Sequence, residues 1–271
     1  MFDFLKGVRY NGAMHNERVF IEERLEQIVN LVNERRRITV KELCAHFGVS
    51  LVTVRNDLNE LGRQGKIIRT HGGAIAAEDA QPILPFNTRR KTNYEQKHTI
   101  AQAAAGLVSD GEVIFIDAGT TAVEIPVYLK EKSDLTVITP SIEVAHWLLT
   151  HTSFNVYMLN GFLHRKSFGT TGAPCEDFMS EWNMAKAFCG AAGFTVAEGL
   201  TDRHIGFVEQ KRVIVKKAQT VVGLVDSTKL GIVSLGSFAA VENIDVIITD
   251  RGISEEMEGS LQERGIEVIV T

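Results

Sequence analysis

The sequence predicts a two-domain chain: an α+β N-terminal winged helix-turn-helix at residues 1–76, a linker at 77–94, and an α/β domain with a mostly parallel sheet at 95–271. Three observations carry this. Residues 21–63 read as three helices punctuated by side-chain caps and a Gly turn. Residues 65–74 read as a basic hairpin. From Lys97 onward, helical patterns alternate with short β-branched runs, which implies a parallel sheet covered on both faces.

In the first helix, Ile21, Leu25, Ile28 and Val32 recur at helical spacing and so share one face, and the helix ends near Arg35, Arg36 and Arg37. Residues 1–13 show no period, and Met14 stands just before this pattern, which points to it as an alternative start. Thr39 offers an N-cap oxygen to the second helix, and Glu42 completes a capping box. Gly48 suits the left-handed position that ends that helix. Ser50 caps the third helix, whose buried stripe is read as Leu51, Val54, Leu58 and Leu61.

At ~100° per residue, the opposite face of the third helix presents Val52, Asn56, Asn59 and Arg63, flanked by Thr53 and Arg55. A polar and basic helix face after a tight turn fits the ~12 Å major groove of duplex DNA. In the hairpin, Gly72 and Gly73 form the turn, and Lys66, Arg69 and His71 are placed to reach phosphates or the minor groove. The candidate DNA contacts are therefore Ser50, Val52, Thr53, Arg55, Asn56, Asn59, Arg63, Lys66, Arg69 and His71.

Charge is divided in the same way. Residues 1–76 hold 12 Lys+Arg against 9 Asp+Glu, whereas the remaining residues hold 17 against 25, so the net charge of -5 conceals a basic segment suited to a phosphate backbone. Cys44, Cys175 and Cys189 are odd in number and widely spaced, as expected in a reducing cytoplasm. No apolar run approaches the ~20 residues that span a bilayer. No histidine pair has metal-ligand spacing, and neither a serine-hydrolase elbow nor a Walker sequence is present, so no metal or cofactor is expected. Trp147 and Trp182 stand alone and read as core or interface side chains.

In parallel sheets, ligands bind beyond the carboxyl ends of the strands. The strand runs are read at 113–117, 135–139, 156–159, 221–226, 246–250 and 268–270. Four of the ends are small and polar. Asp117-Ala118-Gly119-Thr120-Thr121 allows close backbone approach and suits a phosphate. Thr139-Pro140-Ser141 leads into a helix, Asn160-Gly161 precedes Arg165, and Asp226-Ser227-Thr228-Lys229 combines acid, hydroxyls and ammonium. Each also has a purely local explanation as a turn and helix cap.

The run Val49-Ser50-x-x-Thr53-Val54-Arg55-x-Asp57-Leu58, followed by Gly65, Arg69 and His71-Gly72-Gly73-Ala74, closely resembles the helix-turn-helix signature of the DeoR family of bacterial sugar-metabolism regulators. Asn56 stands where many members carry a second Arg, and Asn suits adenine whereas Arg suits guanine. The resemblance continues through Asp117-x-Gly119-Thr120-Thr121, Gly199-Leu200-Thr201, Lys211-Arg212 and Asp226-x-x-Lys229. It implies an effector domain similar in fold to ribose-phosphate isomerases that senses a phosphorylated sugar or related metabolite.

On that resemblance, Gly119, Thr120 and Thr121 contact phosphate, Asp117, Lys211, Asp226 and Lys229 contact hydroxyl or phosphate groups, and Ser141 lines the same edge. Pro140 and Asn160 depart from the Asn and Gly common in the family and point to an altered pocket. The leading expectation is a cytoplasmic, nucleoid-associated bacterial repressor that is not an enzyme. It binds a double-stranded DNA operator as a homo-oligomer, dimer or tetramer, under a phosphorylated sugar effector. The alternatives are a sugar-phosphate isomerase-like enzyme using Asp117, Asp226 and Lys229 behind a helical N-terminal extension, and a partner-binding module without DNA contact.

Overall fold

The computed structural model describes residues 11–35, 37–64, 66–70, 72–76, 84–172 and 182–271. Gly65, His71, Cys175 and residues 77–83 of the expected linker lie outside the described residues. The chain divides into two compact units, Met1–Pro82 and Ile83–Thr271.

The first unit contains α1 (Asn11–Arg35), β1 (Arg37–Thr39), α2 (Val40–Phe47), α3 (Leu51–Arg63), β2 (Ile67–Arg69) and β3 (Gly73–Ala76). Its caps are those the sequence implies. Thr39 Oγ1 accepts from the Glu42 amide at 3.2 Å while Glu42 Oε2 accepts from the Thr39 amide at 2.7 Å. Gly48 takes the left-handed conformation, and Ser50 Oγ accepts from the Thr53 amide at 3.1 Å. The backbone helix of α1 begins ahead of Met14.

Ile28, Val32, Val54, Leu58 and Leu61 are wholly buried in one apolar cluster. Two residues expected in that core are not there. Ile21 is 42% exposed, because α1 has run past the packed stretch of Leu25, Ile28 and Val32. Leu51 is 51% exposed, because it is the first residue of α3 and precedes the turn that packs. The stripe instead includes Asp57, whose buried carboxylate receives Arg24 Nε at 2.7 Å and Arg24 Nη2 at 3.1 Å and so ties α3 to α1.

The wing has a third strand that the sequence reading omits. β1 pairs antiparallel with β3, which pairs antiparallel with β2. A Cβ on Gly73 would lie 2.0 Å from the Ile38 carbonyl oxygen, so this glycine is what lets β1 and β3 close.

The second unit opens with α4 (Phe86–Lys91) and α5 (Tyr94–Gly106). Phe86 is wholly buried in the core of this unit, so the later part of the stretch read as a linker at 77–94 is folded structure. The central sheet has seven strands, all parallel, in the order β15-β14-β12-β9-β4-β5-β6. These are β4 (Val113–Ile116), β5 (Thr136–Thr139), β6 (Asn155–Met158), β9 (Met184–Gly190), β12 (Ala218–Leu224), β14 (Val246–Thr249) and β15 (Glu267–Val270). Ile114 and Ile116 face one apolar cluster and Phe115 the other, the alternation of a sheet buried on both sides.

A 3-10 helix (Ala122–Tyr128) and α6 (Ile142–His151) join α5 around the first cluster. α7 (Ile205–Lys217) and α8 (Glu255–Gln262) lie against the second. A hairpin of β7 (Phe162–His164) and β8 (Gly169–Thr171) and a small antiparallel sheet of β10 (Gly193–Thr195), β11 (Gly199–Asp202) and β13 (Gly236–Ala239) complete the described elements. The central strand β9 and these smaller sheets are absent from the sequence reading.

Replacing Gly73 with Ala should destabilise the first unit by about 1–3 kcal/mol, the usual cost of overpacking a closed contact. Denaturant unfolding measures this. An unchanged midpoint would show that β1 does not close on β3 in solution.

Candidate DNA interface and ligand site

The outward face of α3 is as the sequence reading places it. Val52, Arg55, Asn56, Asn59 and Arg63 are exposed, as is Lys66 ahead of β2, while Thr53 and Arg69 are half-buried. Ser50 is exposed but its hydroxyl serves the helix cap and lies 2.9 Å from Thr53 Oγ1. Arg63 pairs with Glu60 within the helix, an exposed contact that a phosphate can replace at little cost. Asp57 faces inward to Arg24, which explains its place in the signature as a support for the helix and not as a base contact.

In the second unit, chain order and sheet order define a crevice. β4 is followed by β5 and β6 on one side, after which the chain returns to β9 on the other side of β4. The strand order therefore reverses between β4 and β9, and such a switch point leaves a cleft beyond the carboxyl ends of the two strands. The chain places small residues there. A Cβ on Gly119, after β4, would lie 3.5 Å from the Cα of Gly190, the last residue of β9. Among the described residues, none offers a backbone acceptor to the N–H groups of Gly119, Thr120 or Thr121. Consecutive unpaired amides of this kind form an anion-binding concavity.

Beneath the crevice lies a buried charge cluster. The Lys211 ammonium on α7 is 2.7 Å from Asp117 Oδ2, donates to Asp202 Oδ2 at 2.7 Å, and donates to the Gly190 carbonyl at 2.7 Å. Burial opposes its charge, but Asp117 and Asp202 outweigh that and hold its pKa above the usual lysine range. Asp117 Oδ2 also accepts from the Gly190 amide and Oδ1 from the Ala118 amide. Two predicted ligand contacts, Asp117 and Lys211, are thus paired with each other. Burial lowers the Arg89 pKa, with Asp202 and Asp117 pulling it back up, so Arg89 sits where it offsets the surplus carboxylate.

Ser141 is wholly buried and caps α6, accepting from the Val144 amide at 3.3 Å. At the end of β12, Asp226 Oδ1 accepts from the Thr228 amide and from Asn93 Nδ2 at 3.3 Å. Among the described residues nothing donates to its Oδ2. Asn93 itself holds a left-handed backbone, φ 52°, at the start of α5.

The sequence reading missed Lys97. It is buried, and its ammonium donates to the carbonyls of Arg89 and Thr92. Burial lowers its pKa to about 8, with Asp226 and Glu124 favouring the charge and Lys229 and Arg89 opposing it. Lys97, Lys229, Arg89 and Asp226 therefore share one electrostatic neighbourhood. Among the described residues, neither Lys97 nor Lys229 has a carboxylate in ion-pair contact. The only hint in the sequence was the basic run Arg89-Arg90-Lys91 just ahead of it.

Truncating Lys211 to Met should cost about 3–5 kcal/mol, because the buried Asp117 and the half-buried Asp202 lose their cation. Urea unfolding of the full chain tests this, and a loss under 1 kcal/mol would mean that the cluster is solvated.

Comparison with known proteins finds two family matches: a DeoR-like helix-turn-helix domain over residues 24–80 and a DeoR C-terminal sensor domain over residues 92–251. The transcriptional regulator GolR of Listeria innocua is 36% identical over 250 residues, covering 92% of this chain and 98% of its own. The glycerol-3-phosphate regulon repressor of Escherichia coli is 31% identical over 228 residues, 84% of this chain and 90% of its own. Among solved structures, ribose 5-phosphate isomerase A of Methanocaldococcus jannaschii aligns over 51% of this chain and 55% of that one, at 24% identity and a TM-score of 0.38.

Proposed function

Because the chain belongs to the DeoR family of DNA-binding transcriptional regulators, we propose that it represses a carbohydrate-utilisation operon and that a phosphorylated sugar or related metabolite controls it. The observation that supports the effector reading is the set of unpaired amides of Gly119, Thr120 and Thr121 beyond the end of β4, together with Lys229 after the end of β12 in the same sheet and Lys97, whose charge Lys229 and Asp226 influence. A phosphate dianion there gains charge-assisted hydrogen bonds without breaking an existing ion pair. The open Oδ2 of Asp226 suits a sugar hydroxyl. Asp117 and Lys211 serve as the floor that holds the strand ends in place.

On the DNA side, α3 enters the major groove with Arg55, Asn56 and Asn59, while Lys66 and Arg69 reach phosphates. We place the protein in the cytoplasm as a homo-oligomer, since a single small module rarely gives operator-level affinity. No helix among the described residues is long and apolar enough to cross a membrane. Footprinting of genomic fragments with and without a panel of sugar phosphates tests both units together. Occupancy that is unaffected by every compound would remove the effector reading and leave DNA binding standing.

Arg55→Ala should weaken operator affinity by about 1–3 kcal/mol in gel-shift titration, with unfolding unchanged because the side chain is exposed. Ligand affinity should fall as pH rises through about 8, because Lys97 loses the proton that gives it charge. In Lys97→Gln the affinity at pH 7 should be lower and the pH dependence absent. Calorimetry at pH 7 and pH 9 distinguishes these, and a pH-independent wild type would exclude Lys97 as a phosphate contact.

A further inference from the structure

Val52 lies at the centre of the face that α3 turns to solvent and is 66% exposed, with Leu51 beside it. The fold gains nothing from either. Both lie outside the apolar cluster of Ile28, Val54, Leu58 and Leu61, and an exposed β-branched residue is a weak helix former. The neighbouring hydroxyls of Ser50 and Thr53 are engaged with each other and with the helix cap. Val52 is therefore an uncommitted apolar side chain in the first turn of the helix that meets base edges in helix-turn-helix proteins.

What it meets there is constrained by chemistry. In the major groove the base edges present hydrogen-bond donors and acceptors, small C–H edges such as cytosine C5–H, and the thymine C5-methyl group, which is the one sizeable apolar projection. Packing a valine on a donor or acceptor would strip its water and return no bond. Arg55, one turn along from Val52 and exposed, disfavours an apolar protein surface as the partner, because such a surface would strip its guanidinium of water and return no counter-charge.

We infer that Val52 reads a thymine methyl group in each operator half-site, with Leu51 widening the apolar contact. Asn56 lies one turn further along the same face, ~6 Å away at 1.5 Å per residue, and pairs best with adenine. With ~3.4 Å between base pairs, the thymine and the adenine stand about two base pairs apart. This rests on the DNA-binding reading and adds base identity to it.

The test uses the full chain and duplexes that it enriches from a random library. Each thymine of an enriched duplex is replaced in turn by deoxyuridine, which removes only the methyl group. One replacement per half-site should weaken wild-type binding about fourfold, the value of one buried methyl. Val52→Ala should bind the thymine duplex about fourfold more weakly, ignore that replacement, and unfold at the wild-type temperature. The inference is overturned if no replacement shifts affinity by as much as about twofold, or if Val52→Ala keeps the wild-type sensitivity. It is equally overturned if Leu51→Ala alone abolishes the sensitivity. A chain that enriches no duplex fails the DNA-binding reading itself.

Discussion

The geometry of the second unit depends on one buried ammonium. Lys211 reaches from α7 to the ends of β4, β9 and β11, and its three hydrogen-bonding positions meet Asp117, Asp202 and the Gly190 carbonyl. Placing a lysine in the interior is tolerable only with that many acceptors. The arrangement closes the polar floor of the switch-point crevice and brings Gly119 against Gly190.

Charge is used differently in the two units. The first is basic and presents its cations on the surface, where screening makes each one cheap and adjustable. The second is acidic in total, yet Arg89, Lys97 and Lys229 share one electrostatic neighbourhood within it. Lys97 also binds the carbonyls of Arg89 and Thr92. Any change in its charge therefore acts on the backbone that ends α4, the first described helix of the second unit.

Local signals were legible in the sequence and long-range ones were not. The caps at Thr39, Gly48 and Ser50 involve residues within one turn of each other, so residue type alone announces them. Periodicity identified the face of α3 but could not say where packing starts along it, which is why Leu51 was misplaced. β9 escaped notice because Lys186 and two alanines dilute its pattern, and Lys186 is tolerated only through Glu112, far away in the chain. Strand-end residues could be nominated because a parallel sheet has one ligand-bearing edge. Lys97 and Asn93 could not, since their roles depend on Asp226, more than a hundred residues later.

Asn93 carries an implication for how the family member can diverge. A left-handed backbone admits glycine freely, and asparagine or aspartate at modest strain. Glycine has no amide to give to Asp226 and Thr228, and aspartate would set a second negative charge against Asp226. Asparagine is thus the residue that meets both the backbone and the hydrogen-bonding demand at this half-exposed helix start.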